Sequence, residues 1–235
     1  MNSKRKERPV YRLAGDTGLS VEFGEAIDPD INKKVRTMAA AVKNRKPDGI
    51  IEIIPTYRSL LFIYDPVRIK PKHLMALIED LESTIDTVGE KDVPLIEIPV
   101  CYGGEFGPDM DNVKASSNLD SEEVIRLHSQ PEYPIYMVGF TPGFAFLGGL
   151  NEKLFTPRLK TPRLVVPAGS VGIANNQTGM YPIDSPGGWQ IIGRTPLTLF
   201  APQRKKPFLY KAGDKIKFIP ISQDQFEQIK QGKNM

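Results

Sequence analysis

Residues 179–200, GMYPIDSPGGWQIIGRTPLTLF, carry the only tryptophan of the chain in a Ser-Pro-Gly-Gly-Trp turn with an arginine behind it. Residues 139–150, GFTPGFAFLGGL, are their companion stretch. Pro186 restricts φ, while Gly187 and Gly188 are free to take positive φ, so the spacing predicts a tight reversal that sets Trp189 at a defined angle. The indole is then either displayed to a ligand or used to plug a small core. Around these two stretches glycine and proline crowd residues 131–202. That density excludes long helices and predicts short strands at 133–140, 164–166, 169–174, 190–192, 197–200 and 208–220, joined by turns such as Ala212-Gly213-Asp214. Closing such strands on one another removes their edges, so the expectation is a small, loop-rich β-barrel. One local helix is expected where Asp120 and Glu123 make a capping box that opens a run through Leu127 and His128.

Upstream, LIEIPVCYGG at 95–104 begins the strand-rich half, after a polar link at Gly89-Glu90-Lys91-Asp92. The residues before that link follow another pattern. Segments 11–23 and 50–64 are rich in Val, Ile, Leu, Phe and Tyr and are broken at Gly15-Asp16 and near Pro55, which predicts strands. Between them Asp28 can cap a helix with Pro29 at its first position, followed by Ile31, Val35, Met38, Ala39 and Val42 at helical spacing. A second helix opens at Pro71, behind the poor cap Lys70, and repeats Leu74, Leu77, Ile78, Leu81 and Ile85. Strands with two helices on one face predict an α+β unit of the ferredoxin-like sort. The expected division is therefore 1–92 for this unit and 93–235 for the barrel. No internal repeat is found, and the polar tail after Phe226 is the one low-complexity feature.

At 235 residues, 40% hydrophobic and 25% charged, the composition is that of globular domains with real cores. The formal charge of +3 draws partly on the leader, where Lys4, Arg5, Lys6 and Arg8 stand against Glu7. The remainder is nearly neutral and lacks the electrostatic footprint of a nucleic-acid binder, so no nucleic-acid partner is expected. Cys101 is the single cysteine, which excludes an intramolecular disulfide. With no secretory h-region and no apolar run of membrane-spanning length, the expectation is a cytoplasmic chain without a membrane partner, and the sequon Asn176-Gln177-Thr178 reads as coincidence.

The chain has no G-x-x-x-x-G-K-[ST], G-x-G-x-x-G or G-x-S-x-G pattern, and His73, His128 and Cys101 cannot form a three-ligand zinc site of ordinary type without carboxylates. No metal is expected. His128, at a helix end, can act as a general base or place a cation near the terminal carbonyls; His73 reads as exposed. Arg158, Arg163 and Arg194 stand beside or near prolines, whose stiffness reduces the disorder lost when a guanidinium grips a carboxylate or phosphate. The same arginines can instead pin loops through Asp184, Glu152 or backbone carbonyls. Gln177 and Ser185 offer hydrogen bonds to a polar ligand or to their own turns. A kink at Pro142-Gly143 lets Phe140, Phe144 and Phe146 face one side, as a small-molecule pocket, a groove for a partner's proline or helix, or core filling.

Residues 136–150 (YMVGFTPGFAFLGGL), 161–174 (TPRLVVPAGSVGIA) and 181–196 (YPIDSPGGWQIIGRTP), with GDTGLSVEFG at 15–24 and IPVCYGGEFGPDM at 98–110, resemble the signature blocks of the family that holds the B subunits of bacterial 5-oxoprolinases. KipI, an inhibitor of a sporulation histidine kinase, and the first subunit of allophanate-hydrolase-like carboxyltransferase domains share this family. The resemblance implies a ferredoxin-like domain followed by a cyclophilin-like barrel. It further implies a subunit, inactive alone, that works with subunits A and C in the ATP-dependent opening of 5-oxo-L-proline to L-glutamate. This chain would then bind no cofactor, and ATP would be handled elsewhere in the complex. By position it implies a substrate-facing set of Arg163, Gln177, Ser185, Gly188, Trp189 and Arg194, with His128 as a weaker catalytic candidate and the catalytic residue otherwise unassigned. The alternative function is a KipI-type inhibitor whose aromatic groove, Phe140, Phe144 and Phe146, holds part of a histidine kinase.

Overall fold

The computed structural model describes residues 8–84 and 93–232. Ile85, the link at 89–92 and the basic leader up to Glu7 lie outside the described residues. The chain divides into two compact units, Met1–Asp92 and Val93–Met235.

In the first unit, two hairpins alternate with two helices. β1 (Val10–Ala14) pairs with β2 (Gly18–Glu22), α1 spans Pro29–Arg45, β3 (Ile50–Pro55) pairs with β4 (Ser59–Tyr64), and α2 spans Pro71–Thr84. The four-stranded antiparallel sheet has the order β1-β2-β4-β3. Period-two alternation turns Leu19, Val21, Leu60, Phe62 and Tyr64 to one face, where Val35, Met38 and Val42 of α1 and Leu74, Ile78 and Leu81 of α2 complete a core. Asp28 caps α1 by accepting from the N–H groups of Asp30 and Ile31. Asp28→Ala is expected to cost about 1 kcal/mol in urea denaturation; an unchanged midpoint would show that water replaces the cap without loss. Asn32, fully buried on α1, donates through its amide to the carbonyls of Thr56 and Tyr57, fastening the helix to the β3–β4 turn.

The second unit begins with β5 (Leu95–Tyr102), α3 (Met110–Ser117) and α4 (Ser121–Ser129). It continues through β6 (Tyr133–Val138), β7 (Ala145–Leu147), a 3-10 turn at Glu152–Leu154, β8 (Arg163–Val166), β9 (Ser170–Ala174), β10 (Gln177–Met180), β11 (Ser185–Gly187) and β12 (Gln190–Arg194). β13 (Lys215–Pro220) and α5 (Gln223–Lys230) complete it. Seven strands close into a barrel in the order β10-β7-β6-β13-β5-β12-β9, and β8 and β11 form a separate two-stranded ribbon. The architecture is thus α+β with a closed barrel. Its core joins Ile98, Val100, Ile135, Leu147, Ile173 and Phe218 of the strands to Val113, Val124 and Leu127 of α3 and α4.

Several segments depart from expectation. Residues 197–200 form no strand and meet 208 through an isolated Phe200–Phe208 bridge whose rings also stack, and of 208–220 only β13 is a named strand. The tail after Phe226 is partly helical, because Ser222 and Gln225 make a full capping box for α5. The box expected at Asp120 is half formed: Asp120 accepts from the Glu123 N–H, but the Glu123 carboxylate is held by Arg126 at 2.7 Å. Neither Gly187 nor Gly188 has positive φ. Ser185–Gly187 is a strand, and glycine is needed at 187 because a Cβ there would run into the Tyr181 hydroxyl.

Candidate functional site

A second aromatic cluster stands on the outer wall of the barrel, apart from the core rings Tyr133, Tyr210 and Phe218. On β7, Ala145 and Leu147 point into the barrel core while Phe146 points out. On β12 the same alternation sends Ile192 inward and Ile191 outward. Across β9 and β10, Gly172 and Gly179 are register partners. A Cβ on Gly179 would stand 3.0 Å from the Trp189 ring and 3.1 Å from Phe144, and one on Gly172 would stand 3.3 Å from Trp189 Cβ. Two facing glycines therefore clear a flat patch of wall on which the indole lies. Trp189 neither plugs the barrel nor stands free: it is buried in a satellite cluster with Phe144, Val166, Ala174, Tyr181 and Ile191.

The rings meet edge to face or tilted. Phe144 lies 5.3 Å from Trp189, 5.0 Å from Tyr181 and 4.6 Å from Phe146 between centroids, and Phe140 meets Phe144 at 5.7 Å. The expected kink at Pro142-Gly143 brings them together, with positive φ at both Phe140 and Gly143, and the Tyr210 hydroxyl donates to the Gly143 carbonyl at 2.8 Å. Burial pushes the Tyr181 phenol up to about 12, opposed by the backbone N–H of Trp189 and by the charges of Arg158 and Arg163.

A cleft of about 310 Å³ opens on this cluster, lined by Phe140, Phe144, Phe146, Arg158, Pro162, Tyr181, Pro186, Gly187, Gly188 and Trp189. Of the expected substrate-facing set, Gly188 and Trp189 line it, together with the whole phenylalanine trio. Arg163 does not. Its Nη2 donates to Asp109 Oδ1 at 2.6 Å, and Asp109, whose side chain is 5% exposed, uses its other oxygen for the Ile191 N–H at 2.7 Å. Arg194 pins a loop, its Nε donating to the Ala168 carbonyl at 2.9 Å, while Asp184 accepts from the Ala168 N–H and, among the described residues, from no arginine. Ser185 is buried outside the lining, with no hydrogen-bond partner for Oγ among the described residues. Gln177 opens β10 and does not line the cleft either.

His128 departs furthest from expectation. It is fully buried, stacked at 4.6 Å on Phe218, with Nδ1 at 2.8 Å from the Tyr102 hydroxyl and Nε2 at 2.8 Å from Thr178 Oγ1. Burial pulls its pKa down to about 3, so at neutral pH it is not a cation at a helix end, and it does not line the cleft. His73 is exposed. Two residues of the site are hard to single out from sequence, for different reasons. Tyr181 stands beside the more conspicuous Trp189 turn, and nothing in its neighbourhood marks its ring as cleft-facing. Arg158 follows a proline just as Arg163 does, so the local pattern does not separate the two.

The model of the family described as carboxyltransferase domain, subdomain C and D, matches residues 9–210. The chain is 44% identical over 231 residues to the B subunit of 5-oxoprolinase from Bacillus subtilis, a match covering 94% of this chain and 96% of that one. The conserved uncharacterized protein PH0987 from Pyrococcus horikoshii shares 45% identity with a TM-score of 0.56, over 92% of this chain and 100% of that one. The structure of TTHA0988 superposes with a TM-score of 0.77 at 34% identity, covering 88% of this chain but only 40% of that longer chain.

Proposed function

The chain belongs to the family of carboxyltransferase domains, subdomain C and D, together with bacterial 5-oxoprolinase B subunits, and on that premise we propose that it is the B subunit of an ATP-dependent 5-oxoprolinase. In this reading it acts with subunits A and C to open 5-oxo-L-proline to L-glutamate. The observation that carries the reading is the end-to-end likeness to chains bearing that subunit's name. The first unit is read as a ferredoxin-like sheet entered one strand early, since its order is ββαββα where the ferredoxin-like order is βαββαβ. The second is read as a cyclophilin-like barrel.

The chemistry fits a divided task. A lactam C–N bond has amide resonance and opens slowly without catalysis, and in this reading ATP supplies the driving force for the complex as a whole. With no phosphate-cradling loop in its sequence, this chain would bind and orient substrate while a partner handles the nucleotide. The cleft offers an aromatic wall of rings set edge to face or tilted for the ring and a guanidinium for its carboxylate. A kinase-inhibitor role would use the same surface, and no observation favours it. The test is reconstitution: glutamate formation from 5-oxoproline and ATP should require this subunit together with its partners. Equal turnover with the subunit omitted would refute the reading.

A further inference from the structure

We propose that the cleft selects a small ring acid carrying a single carboxylate, and that Arg158, not Arg163 or Arg194, anchors that carboxylate. This rests on the reading of the chain as a 5-oxoprolinase subunit and adds to it the anchor and the charge selectivity of the site.

The three arginines of this region differ in what already holds them. Arg163 is paired through Nη2 with a buried carboxylate, which balances its charge, and Arg194 is held through Nε by a backbone carbonyl; neither lines the cleft. Arg158 is exposed, lines the cleft, and forms no ion pair or hydrogen bond with any described residue. Its charge is near enough to the Tyr181 phenol to favour the phenolate.

The backbone on both sides of Arg158 is tied to the Trp189 segment. The Pro157 carbonyl accepts from Gln190 Nε2 at 2.9 Å, and the Leu159 N–H donates to the Gly188 carbonyl at 2.8 Å. The fixed backbone holds the base of a side chain whose head is uncommitted, so a ligand carboxylate has only the side chain left to order.

The lining holds no further charge. Beside Arg158 it consists of aromatic rings, prolines and glycines, with the Tyr181 hydroxyl as the one other polar side-chain group outside the indole and no carboxylate. One anionic group is therefore balanced, and the uncharged remainder of a ring acid can lie on the aromatic floor. A ring-opened amino acid brings a second carboxylate and an ammonium into the same space. The second carboxylate finds no cation there and must give up water without adequate replacement. The cleft should hold the cyclic acid and release the opened product.

The test uses the full-length chain and the emission of Trp189, its sole tryptophan. Titration with 5-oxoproline and with cyclopentanecarboxylate should change the emission saturably, whereas 2-pyrrolidinone, which lacks the carboxylate, and glutamate should bind at least about tenfold more weakly. Arg158→Gln should bring both ring acids down to the level of 2-pyrrolidinone with an unchanged thermal midpoint, and Arg158→Lys should restore part of the loss. The proposal is overturned if Arg158→Gln binds the ring acids as the wild type does, if 2-pyrrolidinone or glutamate binds as tightly as 5-oxoproline, or if none of the compounds saturates. Because the readout is binding without ATP, it stands apart from the turnover assay that tests the subunit role.

Discussion

Asp109→Ala is expected to cost about 3 kcal/mol of folding stability, although within the block at 98–110 nothing in the sequence marks Asp109 as a residue that ties elements together. Its carboxylate joins three elements. Oδ1 takes Arg163 at the head of β8, Oδ2 takes the Ile191 N–H of β12, and Asp109 itself immediately precedes α3, with its own N–H donating to the Ile191 carbonyl. Removing the carboxylate strands the Ile191 N–H in the interior. It also leaves a guanidinium whose Nη1 already has no partner among the described residues. Breaking a buried pair costs about 3–5 kcal/mol; the Arg163 side chain is 32% exposed, so water recovers part of the loss and the lower end applies. Arg163→Ala should fall near the same value, since it leaves a buried carboxylate with one donor. Asp109→Asn, which keeps an oxygen for Ile191, should cost about half as much. Urea denaturation of the three variants measures this, and a loss below about 1 kcal/mol for Asp109→Ala would show that the bridge contributes little. Because Arg163 pairs with Asp109 and does not line the cleft, a loss of function in Arg163→Ala has to be weighed against a weakened β8–β12 region.

The same bridge shows where local reading stops. Arg163 and Asp109 are far apart in the chain, and nothing in the Pro-Arg-Leu pattern around Arg163 reveals that its charge is already balanced. A guanidinium's availability depends on a contact that only the fold creates. Short-range signals carry further. Asp28-Pro29 and the helical repeat through Val42 locate α1 with its cap, and the break at Gly15-Asp16 separates β1 from β2, because capping and turn geometry are settled within a few residues. α3 gives no such signal: Asp109 spends its carboxylate elsewhere and makes no cap bond, so the helix is held by Met110 and Val113 in the core. Likewise the bareness of Gly187 answers to Tyr181, a packing demand that a turn-based argument mistakes for a demand on φ. The aromatic cleft is legible because the kink that gathers it, Pro142-Gly143, lies inside the phenylalanine run itself.

His128→Gln should abolish the part of the stability curve that falls between pH 6.5 and 4.5, while lowering stability at neutral pH. Thr178 Oγ1 donates its one proton to the Gly172 carbonyl at 3.0 Å, so toward His128 it must accept, which places the imidazole proton on Nε2. Nδ1 is then the acceptor for the Tyr102 hydroxyl. Both ring nitrogens are satisfied in the neutral form, and Tyr133 donates to the His128 carbonyl at 2.7 Å. Burial holds the folded pKa near 3, against about 6.5 in an unfolded chain. The folded value is the lower one, so the unfolded state takes up a proton first. The stabilising difference is fully present above pH 6.5 and is lost as pH falls toward 3, with a slope approaching about 1.4 kcal/mol per pH unit. Urea denaturation at intervals from about pH 7.5 to 4.5 reads that slope. Wild type should show about one proton's worth more slope than His128→Gln, and identical slopes would mean that the folded protein protonates His128 as readily as the unfolded chain does. The outcome also bears on chemistry. With both nitrogens engaged inside the barrel unit, burial lowering its pKa and no place in the cleft lining, His128 is a poor general base for the cleft, and on the proposed 5-oxoprolinase reading proton transfer falls to another group or to a partner subunit.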